Sequence, residues 1–483
     1  MLFLDKNPEI DGIDGDRKPL TLNLTTEKKF EEIQEEKQSF ILLYLCKMLI
    51  LVLALIILTG FQEEINSGLS SREPQQRPQP QPEPPAARPI KVAFYCNSIK
   101  YGGGERVVAL LINLLEEEKN FTIYLITNQG VLEGEYSIPN STKRISLSEK
   151  KMNVFTAIRI EHIDIFIYNG YSKSDIKKLN RLKKTEVIYY NHSGFFYWIY
   201  QQIYKFKDTI YEIYKECKYI ISLIPLENDY LFKKWGINSI LMDNPLTFEY
   251  DSVIPSDLSQ NNIVMIGRGN DINKRFDIGI KSMKNIIEEI PDCKMYIISD
   301  KFEELEKLIK SLNLEKNVIF TGYQKNIEAY LKNSSLHIFP SIAECHPMVL
   351  SETKIYGIPT ILCGLDYITL AKGGTVIIYD DNPNTIAKEA IKILKNETYK
   401  KKLGVEARKS LDKHNNNVIA KRWVKLLLAV YKGDNKSFRE LEEDKMTEEE
   451  AERILNNQLK LIHMRVPRLK DITLEQLKSY SLL

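Results

Sequence analysis

Leu336-His-Ile-Phe-Pro340-Ser-Ile-Ala-Glu344-Cys-His-Pro347-Met-Val-Leu-Ser-Glu352 places an apolar run ahead of a proline and two glutamates eight positions apart. Leu336 to Phe339 has the length and continuity of a short buried strand, and Pro347 carries the fixed φ that suits a helix's first turn. The stretch therefore predicts strand, loop and helix, with Glu344 in the loop and Glu352 on the helix's second turn. A helix starting there leaves the N–H groups of Met348 and Val349 unpaired and available to a phosphate. A carboxylate one turn on can accept hydrogen bonds from ribose hydroxyls, which leaves the loop carboxylate for a sugar.

The surroundings extend this pattern. Asn262-Ile-Val-Met-Ile-Gly267-Arg268 is an apolar strand ending in Gly-Arg, followed by Asn273-Lys274-Arg275-Phe276-Asp277 and a helical pattern. A guanidinium on a turn and an ammonium on a flexible stem can clamp a diphosphate and stabilise the charge on a departing nucleotide. Lys91-Val-Ala-Phe-Tyr-Cys96 is another strand, and Tyr101-Gly-Gly-Gly-Glu-Arg106 follows it ahead of the apolar pattern of Val107 to Leu115. Glycines at such a turn allow backbone amides to approach an anion closely. Val187-Ile-Tyr-Tyr190 leads into Asn191-His192-Ser193-Gly194, which puts a histidine on a loop just past a strand.

Taken together, these residues resemble the GT-B glycosyltransferases of the retaining family-4 type, from about Ile90 to about Tyr431. The carriers are Gly267-Arg268, Lys274, Glu344 with Glu352, and Gly357-Ile-Pro359; Gly102-Gly-Gly-Glu-Arg106 is similar to the GGxER turn of transferases that build lipid-linked oligosaccharides and surface polysaccharides. The resemblance implies two Rossmann-like domains facing a cleft, and transfer of a hexose with retention at its anomeric carbon. It assigns the diphosphate to Arg268 and Lys274, with Gly103, Gly104 and the N–H groups of Met348 and Val349. It gives the ribose to Glu352, the donor-sugar hydroxyls to Glu344, and a place beside the reacting carbon to His192. The partners implied are a nucleotide sugar, of the UDP- or GDP-hexose class, and a glycan or lipid-linked acceptor. Neither a metal nor another cofactor is implied. Cys345-His346 replaces the family's commoner glycine and aromatic pair, so His346 is expected close to the donor sugar, and Thr353 replaces a usual alanine. A nucleotide-sugar epimerase of the same fold and a non-catalytic binding module are the alternatives.

Strand-like runs at Phe121 to Ile126, Ile163 to Tyr168, Val187 to Tyr190 and Tyr219 to Leu223 alternate with helical patterns. The rhythm returns with Ile263 to Ile266, Lys294 to Ser299, Val318 to Phe320, Leu336 to Phe339 and Thr360 to Leu362, which predicts a second parallel sheet. Asp243-Asn-Pro-Leu246 falls between the halves as a linker. The expected catalytic domains are 90–245 on the acceptor side and 246–432 on the nucleotide-sugar side. A helix around Val418 to Tyr431 with Trp423 is expected to cross back onto the first. In the 433–483 tail, Thr447-Glu-Glu-Glu450 is a capping box ahead of a helix that packs on the enzyme or takes a partner.

At 483 residues the chain exceeds one ordinary core. Its formal net charge of +2 gives no indication of nucleic acid. The six cysteines, Cys46, Cys96, Cys217, Cys293, Cys345 and Cys363, lack zinc-ligand spacing and disulfide density, so reduced core thiols are expected and no metal site is legible. Residues 1–39 form a polar tail. Phe40 to Phe61, broken only by Lys47, has the length of roughly 20 residues needed to cross a bilayer. The proline- and glutamine-rich 62–89 reads as an extended spacer. These readings predict a single-pass membrane protein whose anchor holds a catalytic part beside a lipid surface.

Overall fold

The computed structural model describes residues 88–483 except 101, 171, 195, 197–213, 215, 230–235, 435–445, 468–469 and 477–483. Two parallel sheets organise it. The first runs β3-β2-β1-β4-β5-β6-β7 across, with β1 Ile90–Cys96, β2 Phe121–Thr127, β3 Lys143–Ser146, β4 Ile165–Tyr168, β5 Glu186–Tyr190, β6 Tyr219–Ser222 and β7 Asn238–Leu241. The second runs β10-β9-β8-β11-β12-β13, with β8 Asn262–Ile266, β9 Lys294–Ile298, β10 Val318–Phe320, β11 Leu336–Phe339, β12 Thr360–Cys363 and β13 Thr375–Ile378. In both, the order reverses beside the first strand, opening a crevice at the carboxyl ends where α/β sheets take their ligands.

Strands this buried are continuous apolar runs, and β11 and β12 are covered along their whole length. The alternation of side chains still decides which core each residue joins. In β8, Ile263 and Met265 pack with Phe276, Ile280 and Met283 of the following helix. Val264 and Ile266 join the larger core that continues through the first sheet. β3, β7 and β13 were not anticipated, and all three are edge strands of four residues. Short, partly polar edges lack the apolar run that marks a central strand.

Five helices matter for the site: α1 Gly103–Leu115, α2 Phe276–Glu289, α3 Met348–Ile355, α4 Asn416–Lys432 and α5 Glu448–Arg465. Pro347 caps α3 with φ −68°, and Glu352 sits on its second turn. α4 returns to the first sheet, where Trp423 is fully buried with ring centroids 6.1 Å from Phe94 and 5.5 Å from Tyr190. α5 starts as its capping box predicts, with Thr447 Oγ1 accepting the Glu450 N–H at 3.1 Å. It packs on the second half. Gln458 Nε2 donates to Gly364 O at 2.5 Å, and Arg465 Nη2 pairs with Asp381 at 3.0 Å.

The single-pass membrane location needs correction. No helix among the described residues is long and apolar enough to cross a membrane. α5 is long enough, but it carries Glu448, Glu449, Glu450, Glu452, Arg453 and Arg465. The expected anchor at 40–61 lies outside the described residues, as do the 1–39 tail and most of the 62–89 spacer. Among the described residues Cys96, Cys217, Cys293, Cys345 and Cys363 are buried, as core thiols should be.

Candidate active site

Loops from the carboxyl ends of β1, β4 and β5 meet on the first sheet. After β5, His192 lies with its ring centroid 4.1 Å from that of Tyr190. After β4, Asn169 holds it. Asn169 Nδ2 donates to Tyr95 O at 3.0 Å, which turns Oδ1 toward His192 Nε2 at 2.8 Å. The imidazole therefore carries its proton on Nε2 and leaves Nδ1 as an acceptor. Burial, then the nearby His346, push its pKa down to about 3, so the ring is neutral at ordinary pH. Because Asn169 already takes the ring N–H, His192 can meet a sugar hydroxyl only as an acceptor through Nδ1.

The glycine turn faces this histidine. A Cβ at Gly104 would lie 3.5 Å from the His192 ring, whereas one at Gly103 meets nothing within 4 Å. Gly104→Val is accordingly expected to push His192 off Asn169 and lower turnover, while Gly103→Ala leaves the ring in place; steady-state rates of the two variants check this contrast.

On the second half, the turn after β8 brings Lys274 Nζ to 2.6 Å from Glu344 Oε1, with both side chains largely buried. The Ile342 N–H donates to Asn273 O at 2.8 Å, which pins the two loops together, and the Glu344 N–H donates to the Tyr367 hydroxyl at 3.1 Å. Arg268 stands apart: its side chain is 73% exposed and pairs with Asp271 at 3.1 Å. The two expected clamp cations are therefore not brought together here. Met348 and Val349 are the first residues of α3, whose opening N–H groups have no intrahelical acceptor.

Glu352 holds an unanticipated partner. Its side chain is 2% exposed and receives Arg106 Nη1 at 2.7 Å and Thr247 Oγ1 at 2.8 Å. Burial raises its pKa, against the lowering pull of Arg106 and Thr247. The arginine of the glycine turn thus reaches across the cleft to the glutamate expected on ribose. Arg106 was legible as part of a motif, but nothing local marks its partner.

The halves also interlock around Gly194, where a Cβ would fall 2.9 Å from Glu344 O and 2.5 Å from Ile224. Phe196 packs against Tyr367 with the rings tilted and centroids 4.4 Å apart, so that member of the 195–198 aromatic cluster is core. Tyr190 Oη donates to Asn244 Oδ1 at 2.8 Å, and Asn244 Nδ2 to His346 O at 3.1 Å, tying strand, linker and donor loop together.

The side chain of His346, expected close to the donor sugar, is turned away from solvent. Its side chain is wholly buried and faces the linker, with Nε2 3.2 Å from Asp243 Oδ1; His414 Nδ1 lies 3.0 Å from Asp243 Oδ2.

Residues 248–410, which contain Lys274, Glu344 and Glu352, match the family model described as glycosyl transferases group 1. Over these residues the second half is similar to group 1 glycosyltransferases. The N-acetyl-alpha-D-glucosaminyl L-malate synthase of Bacillus anthracis is 29% identical over 29% of this chain and 37% of its own length, so the aligned stretch spans little more than a third of that relative. A Campylobacter jejuni alpha-1,4-N-acetyl-D-galactosaminyltransferase, named for a diNAcBac-PP-undecaprenol-linked acceptor, is 22% identical over 71% of this chain and 99% of its own. Anabaena HepE, solved with UDP and glucose, superposes with a TM-score of 0.54 at 13% identity, covering 70% of this chain and all of HepE, which establishes the GT-B fold. The group 1 match and the relatives named as glycosyltransferases support a transferase enzyme.

Proposed function

We propose that the group 1 chain moves a hexose from a nucleoside diphosphate sugar, of the UDP or GDP class, to a glycan or lipid-linked glycan, with retention at the anomeric carbon. The observation that carries this reading is the Lys274–Glu344 pair, an ammonium and a carboxylate 2.6 Å apart at the carboxyl ends of β8 and β11 inside the matched domain. Support for the donor class comes from HepE's UDP and glucose, and for the acceptor class from the undecaprenol-linked acceptor named for the Campylobacter relative.

Chemically, the leaving group is a diphosphate whose charge grows as the glycosidic bond breaks. Lys274 supplies a fixed positive charge, Arg268 swings in from solvent to join it, and the first amides of α3 add oriented dipoles. Glu344 then accepts hydrogen bonds from donor-sugar hydroxyls, and the neutral His192 accepts one through Nδ1. No second carboxylate is needed if the departing phosphate takes the acceptor's proton from the same face. For ribose to reach Glu352, it shares or displaces Arg106.

Incubating the full chain with a panel of UDP, GDP and ADP sugars and following free nucleotide tests the proposal. Release from one donor, lost in both Glu344→Ala and Arg268→Ala, supports it. Binding of a nucleotide sugar without turnover in the presence of lipid-linked glycan acceptors would favour the non-catalytic module.

A further inference from the structure

Asp243, His346 and His414 come from three segments far apart in the chain, and each offers one ligand atom such that all lie within 4.8 Å of one another. The expectation that no metal site exists rested on local spacing, which cannot register ligands this widely separated. Asp243 lies in the linker after β7, His346 in the loop between Glu344 and α3, and His414 in the turn just before α4. These are the segments that join the two halves.

The imidazoles are close to the carboxylate, at 3.2 Å and 3.0 Å, yet their directions miss it. Asp243 Oδ1, both ring nitrogens of His346 and Nδ1 of His414 are buried without a well-formed hydrogen bond. Buried polar atoms are as a rule paired, and orphans on three residues, each offering one atom within 4.8 Å of the others, indicate one ion that satisfies them together. A tetrahedral ion with ligands at about 2.0–2.1 Å has ligand atoms about 3.3 Å apart, close to the separations seen here. Two imidazole nitrogens and one carboxylate oxygen form a zinc-type donor set, whereas calcium and magnesium prefer all-oxygen sites. The carboxylate also offsets part of a divalent charge in a site where Asp243 and His414 side chains remain 12% exposed, leaving a path from solvent.

We propose that Asp243, His346 and His414 bind one zinc-class divalent ion, which staples the linker and the donor loop to the segment that returns the chain to the first sheet. Asn244, donating to His346 O at 3.1 Å, holds the donor loop beside it. The site is independent of the transfer reading, because its test reads metal rather than turnover.

The full chain, stripped with a chelator and dialysed, is titrated with Zn2+ alone, with bound metal counted by elemental analysis and Tm recorded with and without zinc. The same is done with His414→Ala, which alters the most accessible histidine, and with Asp243→Asn. Co2+ is used in parallel for its visible absorption. The expected result is one ion per wild-type chain, a Tm raised by zinc, a tetrahedral cobalt spectrum, and affinity weaker by at least about tenfold in His414→Ala. Wild-type chain that binds no zinc and shows no Tm change overturns the proposal. So does equal zinc binding by wild type and His414→Ala, which would place the metal elsewhere; if Asp243→Asn fails to fold, the histidine variant alone decides.

Discussion

Lys274→Ala is expected to lower kcat by about 10²–10³-fold with the best donor, as seen when one fixed donor to a developing anion is removed. Lys274 is the cation that the fold places inside the cleft: the loop bearing it is fixed by the Ile342 N–H on Asn273 O, and its ammonium already sits against Glu344. Its positive charge acts where the diphosphate leaves, so the loss falls on the chemical step more than on the fold. Lys274→Arg keeps the charge but not the geometry, and a partial rate is expected. Nucleotide-release kinetics with both variants, alongside an unaltered circular dichroism spectrum, measure the effect. A Lys274→Ala enzyme within twofold of wild type would remove this residue from the site.

Trp423→Ala is the second large effect, and it acts on stability. The indole is fully buried on α4 between Phe94 of β1 and Tyr190 of β5. Removing it opens a cavity under two central strands of the first sheet and costs about 3–5 kcal/mol. Tyr190 also carries His192 and Asn244, so loosening it reaches the site as well. Urea denaturation checks the first consequence, as a clear drop in the midpoint, and the rate at a temperature where the variant is folded checks the second. Trp423→Phe, which refills most of the space, should recover the larger part of both.

A third expectation concerns pH. The His192 and His337 pKa values are both depressed by burial to about 3 in the folded chain, from near 6.5 unfolded. Between those values the unfolded chain binds more protons. Their contribution to stability is therefore complete above about pH 6.5 and is lost as pH falls toward about 3. Tm measured down this range should fall, with a shallower slope in His192→Asn. The rate profile carries no inflection from His192 between about pH 5 and 8.

Most of the architecture was readable because buried parallel strands are apolar runs and crossover helices have their own period. β8, β9, β10, β11 and β12 fell where their runs predicted, within a residue at their ends, and so did the start of α3 after Pro347. What escaped was either short and at an edge, as β3, β7 and β13 are, or depended on pairs remote in sequence. Glu352 and Arg106 are 2.7 Å apart in space, yet no local pattern joins a helix of one half to a glycine turn of the other. Asp243, His346 and His414 are the extreme case. Closeness to Glu344 in sequence marked His346, but nothing local marks the Asp243 that its ring meets. Residues 40–61 showed the opposite weakness: an apolar run of spanning length suggested a membrane location that the described helices do not provide.

The central claim is that a nucleoside diphosphate sits in the cleft on Lys274. Calorimetric titration of the wild-type chain with UDP and GDP, beside Lys274→Ala and the surface control Lys281→Ala, tests it most directly. The account predicts one site for one of the two nucleotides, weakened by at least about tenfold, or about 1.4 kcal/mol, in Lys274→Ala and unchanged in Lys281→Ala. Equal affinity in wild type and Lys274→Ala would contradict it.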